Sequence, residues 1–286
     1  MWCALDSLVL KALSIVLTEH LNPFISDKCH HVKGNGGTKR AVQTAREALA
    51  PGSYVMKSDI KGYYASINHE VLFGLAEKYI PDSSILRLVW QYLQRTVYFG
   101  ENYRDVNRGI SLGCPLSPLM GALYLKPLDD VVAGTGLFYA RFMDDWLVIA
   151  PNRWKLRKAV HLVNQTLNIL KVEKHPGKTF IGRASKGFDF LGYHLSPSGL
   201  TVASGTIHHH IECIGLLYEQ GASTCRIREY IRRWRAWAAS NLDCIKQNSR
   251  SSTAVYDEHP FIDDVHRATL HSGSHPIRLR SFIPAA

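Results

Sequence analysis

Two adjacent acids, Asp144 and Asp145, interrupt an aromatic and β-branched run that extends from Tyr139 to Ile149. Such flanks favour extended backbone, so the run reads as strand, turn, strand with the acids at the tip. A purely structural hairpin would carry Asn-Gly or Asp-Gly at that point. Neighbouring carboxylates repel each other unless a cation or a basic side chain lies between them. A second strand-like run, Tyr54 to Ile60, brings Asp59 to its end. Three carboxylates at strand ends suit hard divalent cations, which take oxygen ligands. A pair of Mg²⁺ ions held in this way serves phosphoryl transfer.

The net charge of +10 over 286 residues points to a polyanionic partner, most simply nucleic acid. The 46% of hydrophobic residues suffices for a sizeable core. Six cysteines are scattered without a Cys-x-x-Cys pair, which argues against a zinc ribbon or a disulfide framework and for reduced thiols in the cytoplasm. The apolar stretch Leu8 to Leu21 contains Lys11 and Glu19 and is too short and too charged to span a bilayer, so no membrane is expected.

Along the chain, apolar periodicity predicts a helix over 6–21 capped by Asp6 or Ser7, and another over 41–49 after the glycine-rich segment 33–40. Further helices are expected over 69–79 and 83–94. Ser117-Pro118 reads as a helix start, with Ser as the cap. The acidic hairpin spans 138–150, a helix 153–172 and a strand 188–195. Strands alternating with helices indicate a layered α/β or α+β domain. Residues 201–243 read as all-helical. Ile227, Tyr230, Ile231, Trp234 and Trp237 form one apolar stripe, and Arg226, Arg228, Arg232, Arg233 and Arg235 fill the other faces. Periodicity disappears near Ile245, and residues 245–286 are read as an irregular tail.

Four segments in order resemble bacterial reverse transcriptases of the group II intron-like class, which includes retron and defence-associated relatives. They are Ser58 to His69, Arg108 to Leu119, Phe142-Met143-Asp144-Asp145, and His175 to Thr179 followed by Gly187 to Tyr193. The resemblance implies an α+β right-hand polymerase: a palm with partial fingers over 1–200, then a helical thumb over 201–244. It implies an RNA-directed DNA polymerase with two Mg²⁺ ions (Mn²⁺ as a substitute), an RNA template, a DNA or RNA primer, deoxynucleoside triphosphates and, in some relatives, a cognate structured RNA. Asp59, Asp144, Asp145 and the Ile60 carbonyl would hold the metals. Lys178 would protonate the leaving pyrophosphate. Tyr64 would exclude a 2′-hydroxyl, or else serve as a core tyrosine.

Gly109, Gly113 and Pro118 belong to the expected substrate-positioning segment, with ordinary turn glycines as the competing reading. Arg141 would neutralise the acidic hairpin next to the nucleotide. The arginine helix would follow the template–primer backbone, or simply be a solvated amphipathic helix. Leu112 stands where the family usually has Gln. Relatives also carry a fingers segment ahead of the region resembling Trp2 to Ser7, and this sequence does not include it. Template-independent nucleotide addition and a catalytically feeble nucleic-acid-binding remnant are the alternative activities.

Overall fold

The computed structural model describes residues 2–100 and 102–246. Helix α1 (Ala4–Leu21) turns Leu10, Leu13, Leu17 and Leu21 into the core. It starts ahead of the expected cap because the Cys3 thiol accepts from the Asp6 N–H at 3.3 Å. Helix α2 (Gly37–Glu47) also begins early, with Gly36 in the left-handed region at its start. Strand β1 (Tyr54–Ser58) and the single turn α3 (Tyr63–Ser66) follow. Helices α4 (His69–Tyr79) and α5 (Ser83–Leu93) are capped by the side chains of Asn68 and Asp82.

The hairpin of β2 (Thr96–Phe99) and β3 (Asn102–Asp105) has no counterpart in the sequence reading. Helix α6 (Ser117–Tyr124) is buried along almost its whole length and passes into α7 (Lys126–Ala133). Ser117 does not cap it. Its hydroxyl donates to the Ser111 carbonyl at 2.5 Å and pairs with the Tyr92 hydroxyl at 2.7 Å, tying the preceding loop to α5.

Next come β4 (Phe138–Phe142), β5 (Asp145–Ala150) and α8 (Arg153–Ile169). Together with β6 (Phe180–Arg183), the strands form an antiparallel sheet in the order β4-β5-β1-β6. Helix α8 packs on β1 and β5, and α7 packs on α8. The β5 residues Trp146 to Ala150 are buried. This near-continuous apolar run marks a central strand covered on both faces.

The expected strand over 188–195 is two strands, β7 (Phe188–Phe190) and β8 (Tyr193–Ser196), which pair with β9 (Gly199–Val202). Leu191 and Gly192 both have positive φ and reverse the chain between them. Helices α9 (Ser204–Glu219) and α10 (Thr224–Lys246) follow, so the all-helical reading of 201–243 misses the end of β9. The fold is thus the α+β type expected from the sequence. Helix α10 takes in residues 245 and 246 of the expected irregular tail, and the rest of it, 247–286, lies outside the described residues.

Candidate active site

Strands β1 and β5 pair from Tyr54 with Ala150 to Ser58 with Trp146. One step further along, the two strands carry Asp59 and Asp145. Directly opposed residues of an antiparallel pair point to the same face. The β4–β5 ladder closes with Phe142 opposite Asp145, which leaves Met143 and Asp144 as a two-residue turn. A five-residue register therefore carries Asp59 to the hairpin tip, although 85 positions separate it from Asp144 in the chain.

The mutual fields of the acids follow from this placement. Burial pushes the Asp145 carboxyl up to about 7; Lys57 opposes the shift, and the charges of Asp59 and Asp144 add to it. Burial also raises Asp144, countered by its own backbone N–H and reinforced by Asp59. Lys57 Nζ lies 3.7 Å from Asp145 Oδ1, and Lys178 Nζ lies 2.7 Å from Asp59 Oδ2. Asp59 Oδ1 and Asp145 Oδ1 are buried without a hydrogen-bond partner.

Orphaned carboxylate oxygens in an all-oxygen donor set fit a hard cation. Among the described residues, no group of three or more His, Cys, Asp or Glu side chains is placed so that it could by itself hold a metal ion. Mg²⁺ usually takes only one or two carboxylates and completes its shell with water and substrate phosphates. The segment 59–61 is clamped by hydrogen bonds from His175 N–H to the Asp59 carbonyl (2.8 Å) and from Lys61 N–H to the Glu173 carbonyl (2.9 Å). Successive carbonyls of extended chain alternate in direction, so the Ile60 carbonyl is turned to the β5 side.

Tyr64 lies beneath the turn. Its hydroxyl donates to Met143 Sδ at 3.8 Å, and its ring stacks on Tyr63 at 5.4 Å. Gly121 admits both rings, since a Cβ there would sit 3.0 Å from Tyr64 and 3.2 Å from Tyr63. Lys178 ends the short 3₁₀ turn Pro176–Lys178. The Asp59 carboxylate holds its ammonium above the usual lysine range.

The two glycines of the 108–119 segment differ. Gly109, at φ +86°, presses against protein backbone: a Cβ would meet Ala65 Cα, Ala65 O and Tyr64 O, each at 3.0 Å. Its close approach within the chain is to α3. Gly113, at φ +78°, faces open space.

The charge of Arg141 favours the ionised form of Asp144, as expected, but the side chain itself is fully buried. It has no exposed surface to offer a substrate. Its guanidinium binds Asp129 through Nε to Oδ1 (2.6 Å) and Nη2 to Oδ2 (2.5 Å), and Nη1 donates to the Met143 carbonyl (2.8 Å). Arg141 thus braces the turn from below. Asp129 escaped the sequence reading because nothing in a helical Leu-Asp-Asp-Val run marks one acid as buried.

On α10, Ile227 and Ile231 are buried, Trp237 packs on Tyr193, and Arg226, Arg228, Arg232, Arg233 and Arg235 are exposed. Glu229 holds Arg232 at 2.8 Å and Arg233 at 2.7 Å.

An antiparallel sheet with acids gathered at its strand ends and helices packed behind it is a polymerase palm. Residues 2–195 match the reverse transcriptase (RNA-dependent DNA polymerase) family, and the chain belongs to it. The group II intron-encoded protein LtrA of Lactococcus lactis subsp. cremoris is 25% identical over 169 residues, which cover 59% of this chain and 28% of LtrA. Protein YkfC of Escherichia coli (strain K12) is 20% identical over 50% of this chain and 47% of its own length.

Among solved structures, telomerase from Candida albicans in complex with a fragment of telomeric RNA covers 93% of this chain at a TM-score of 0.54 and 12% identity. Apo telomerase from Candida tropicalis covers 91% at a TM-score of 0.57 and 13% identity. These likenesses establish the fold. The chain spans 28% of LtrA and about half of each telomerase chain.

Proposed function

We propose that this chain is an RNA-directed DNA polymerase that adds deoxynucleotides to the 3′-hydroxyl of a DNA or RNA primer paired to an RNA template. The observation that carries this reading is the opposition of Asp59 and Asp145 one residue past the last β1–β5 pair, each with an orphaned carboxylate oxygen.

Asp59, Asp144, Asp145 and the Ile60 carbonyl would hold two Mg²⁺ ions, or Mn²⁺ in their place. When bound, such a pair acidifies the attacking hydroxyl and neutralises the triphosphate. Lys178 stays protonated beside Asp59 and has a proton to give to the departing pyrophosphate. Tyr64, fixed against Met143 and Gly121, supplies a wall for the sugar of the incoming nucleotide. Gly113 leaves its loop open where a nucleotide or template base would pass. The exposed arginines of α10 face solvent, where they can neutralise phosphates of the template–primer duplex. No helix among the described residues is long and apolar enough to cross a membrane.

The test is primer extension with deoxynucleotides and Mg²⁺, with and without an RNA template, comparing the native chain with Asp144→Asn. Template-dependent incorporation by the native chain alone is expected. Equal background from both chains would overturn the polymerase reading, and incorporation without a template would replace it with terminal addition.

A further inference from the structure

The turn that carries Asp144 contains an unusual backbone. Met143 has φ +55°, a region that favours glycine because a Cβ crowds the following carbonyl. Asp144 does not share the positive φ, and two-residue hairpin turns with positive φ only at the first position normally place Gly there. A strained residue persists at a functional site only where its surroundings over-determine it.

Both backbone polar groups of Met143 are held by side chains. Arg141 Nη1 donates to the carbonyl at 2.8 Å, and the N–H donates to His31 Nδ1 at 2.9 Å. Since Nδ1 accepts, the ring proton sits on Nε2, which donates to the Pro118 carbonyl at 3.2 Å in the first turn of α6. The Cys29 thiol lies 3.4 Å from the same Nδ1. Burial pushes that thiol up to about 12, so it keeps its hydrogen and acts as a second donor. Burial, with Arg141 beside it, lowers His31 to about 4 and keeps the ring neutral. The ring also meets Phe142 edge-on at 5.9 Å.

The segment bearing His31 is itself pinned to the strand that it supports. Arg141 N–H donates to the Lys28 carbonyl at 2.8 Å, and His30 N–H donates to the Arg141 carbonyl at 2.7 Å, along the outer edge of β4.

We propose that His31 is a positioning residue of the polymerase site: it holds the left-handed Met143 and couples the acidic turn to the nucleotide-side start of α6. The kinetic half of this proposal rests on the polymerase reading; the structural half does not.

A double-mutant cycle of His31→Ala and Met143→Gly tests it, since glycine at 143 needs no support to stay left-handed. In the native background, His31→Ala should lower kcat about tenfold or more while KM for primer–template changes less than about twofold, because the lost interaction sets the acids rather than the duplex. In the Met143→Gly background the same change should cost less than about threefold. An equal loss in both backgrounds overturns the proposal. His31→Gln, whose amide oxygen can still accept from Met143, should fall between the native chain and His31→Ala, and serves if the alanine variant does not fold.

The urea midpoint of each variant is measured alongside. The His31→Ala shift should shrink in the Met143→Gly background, and an undiminished shift counts against the strut. If the native chain incorporates nothing, the polymerase reading fails, and the urea cycle alone decides the role of His31.

Discussion

Lys178 Nζ rests 2.7 Å from Asp59 Oδ2, pairing the acid with a residue 119 positions away in the chain. The lysine is 58% exposed, so the pair contributes no more than about 1 kcal/mol to folding. Its loss should appear in the rate. Lys178→Ala is expected to lower the single-turnover incorporation rate by about 10²-fold, the lower end for removal of a general acid. Unfolding by urea should change little. Lys178→Arg keeps the charge but is a poor proton donor, so it should remain close to the alanine variant. Full activity of the arginine variant would show that charge alone matters.

Asp59→Asn and Asp144→Asn keep side-chain shape and remove a negative charge at the centre of the cleft. Each is expected to reduce Mg²⁺-dependent incorporation by about 10³-fold or more, equivalent to about 4 kcal/mol of barrier. Circular dichroism should remain native. Titration of Mn²⁺ followed by electron paramagnetic resonance should show weaker binding in both variants. Unchanged binding in Asp59→Asn would remove this residue from the ligand set.

The Asp145 carboxyl titrates at about 7 in the folded chain because it is buried, with Lys57 opposing the shift and Asp59 and Asp144 adding to it. The unfolded value is about 3.9. The folded state therefore holds this proton more tightly. The stabilisation is full below about pH 4 and is lost as the pH rises through about 7. With chelator present, the urea midpoint should fall across that window. Mg²⁺ should raise it again at the upper end, where the carboxylate is ionised. Asp145→Asn should flatten this part of the slope; an unaltered slope would place the titration elsewhere.

The pair of Arg141 and Asp129 is fully buried and also receives the Tyr139 hydroxyl at 2.8 Å. Removing one partner leaves an uncompensated interior charge. Asp129→Ala or Arg141→Ala alone should destabilise the fold by about 3–5 kcal/mol. Asp129→Leu combined with Arg141→Met should recover much of that loss yet leave the Met143 carbonyl without its donor. Equilibrium unfolding and incorporation measured on the same variants separate the two effects.

Gly109 and Gly113 share a positive φ but not an environment. Gly109→Ala must push α3 backbone aside as well as adopt a left-handed alanine, at an expected cost of about 3 kcal/mol or more. Gly113→Ala meets nothing and should cost about 1 kcal/mol. Its effect should appear instead in KM for the nucleotide. Equal loss of stability from both would mean that the contact with Ala65 and Tyr64 is unimportant.

The acidic hairpin, the Tyr54 to Ile60 strand and the helices expected over 69–79 and 83–94 were legible because they depend on local information. Aromatic and β-branched flanks favour strand, and apolar spacing sets a helix face. Asp59 was legible as the end of a strand. Its distance from Asp145 was not, because that follows from the register of β1 on β5, and register is set by which side chains are buried.

The same limit explains Arg141. A basic residue beside two acids reads as their counter-charge, which Arg141 is for Asp144, but only packing reveals that Asp129 binds it directly from the other side. The role of His31 and the contact of Gly109 with α3 were invisible for a related reason: a left-handed methionine and a backbone 3.0 Å from a glycine are properties of juxtaposed segments. The sequence by itself thus pointed to the acids and to most of the helices, but not to the β2–β3 hairpin or to β6. Tertiary structure decided how the acids are oriented and held, because hydrogen bonds and burial between distant segments have no local signature.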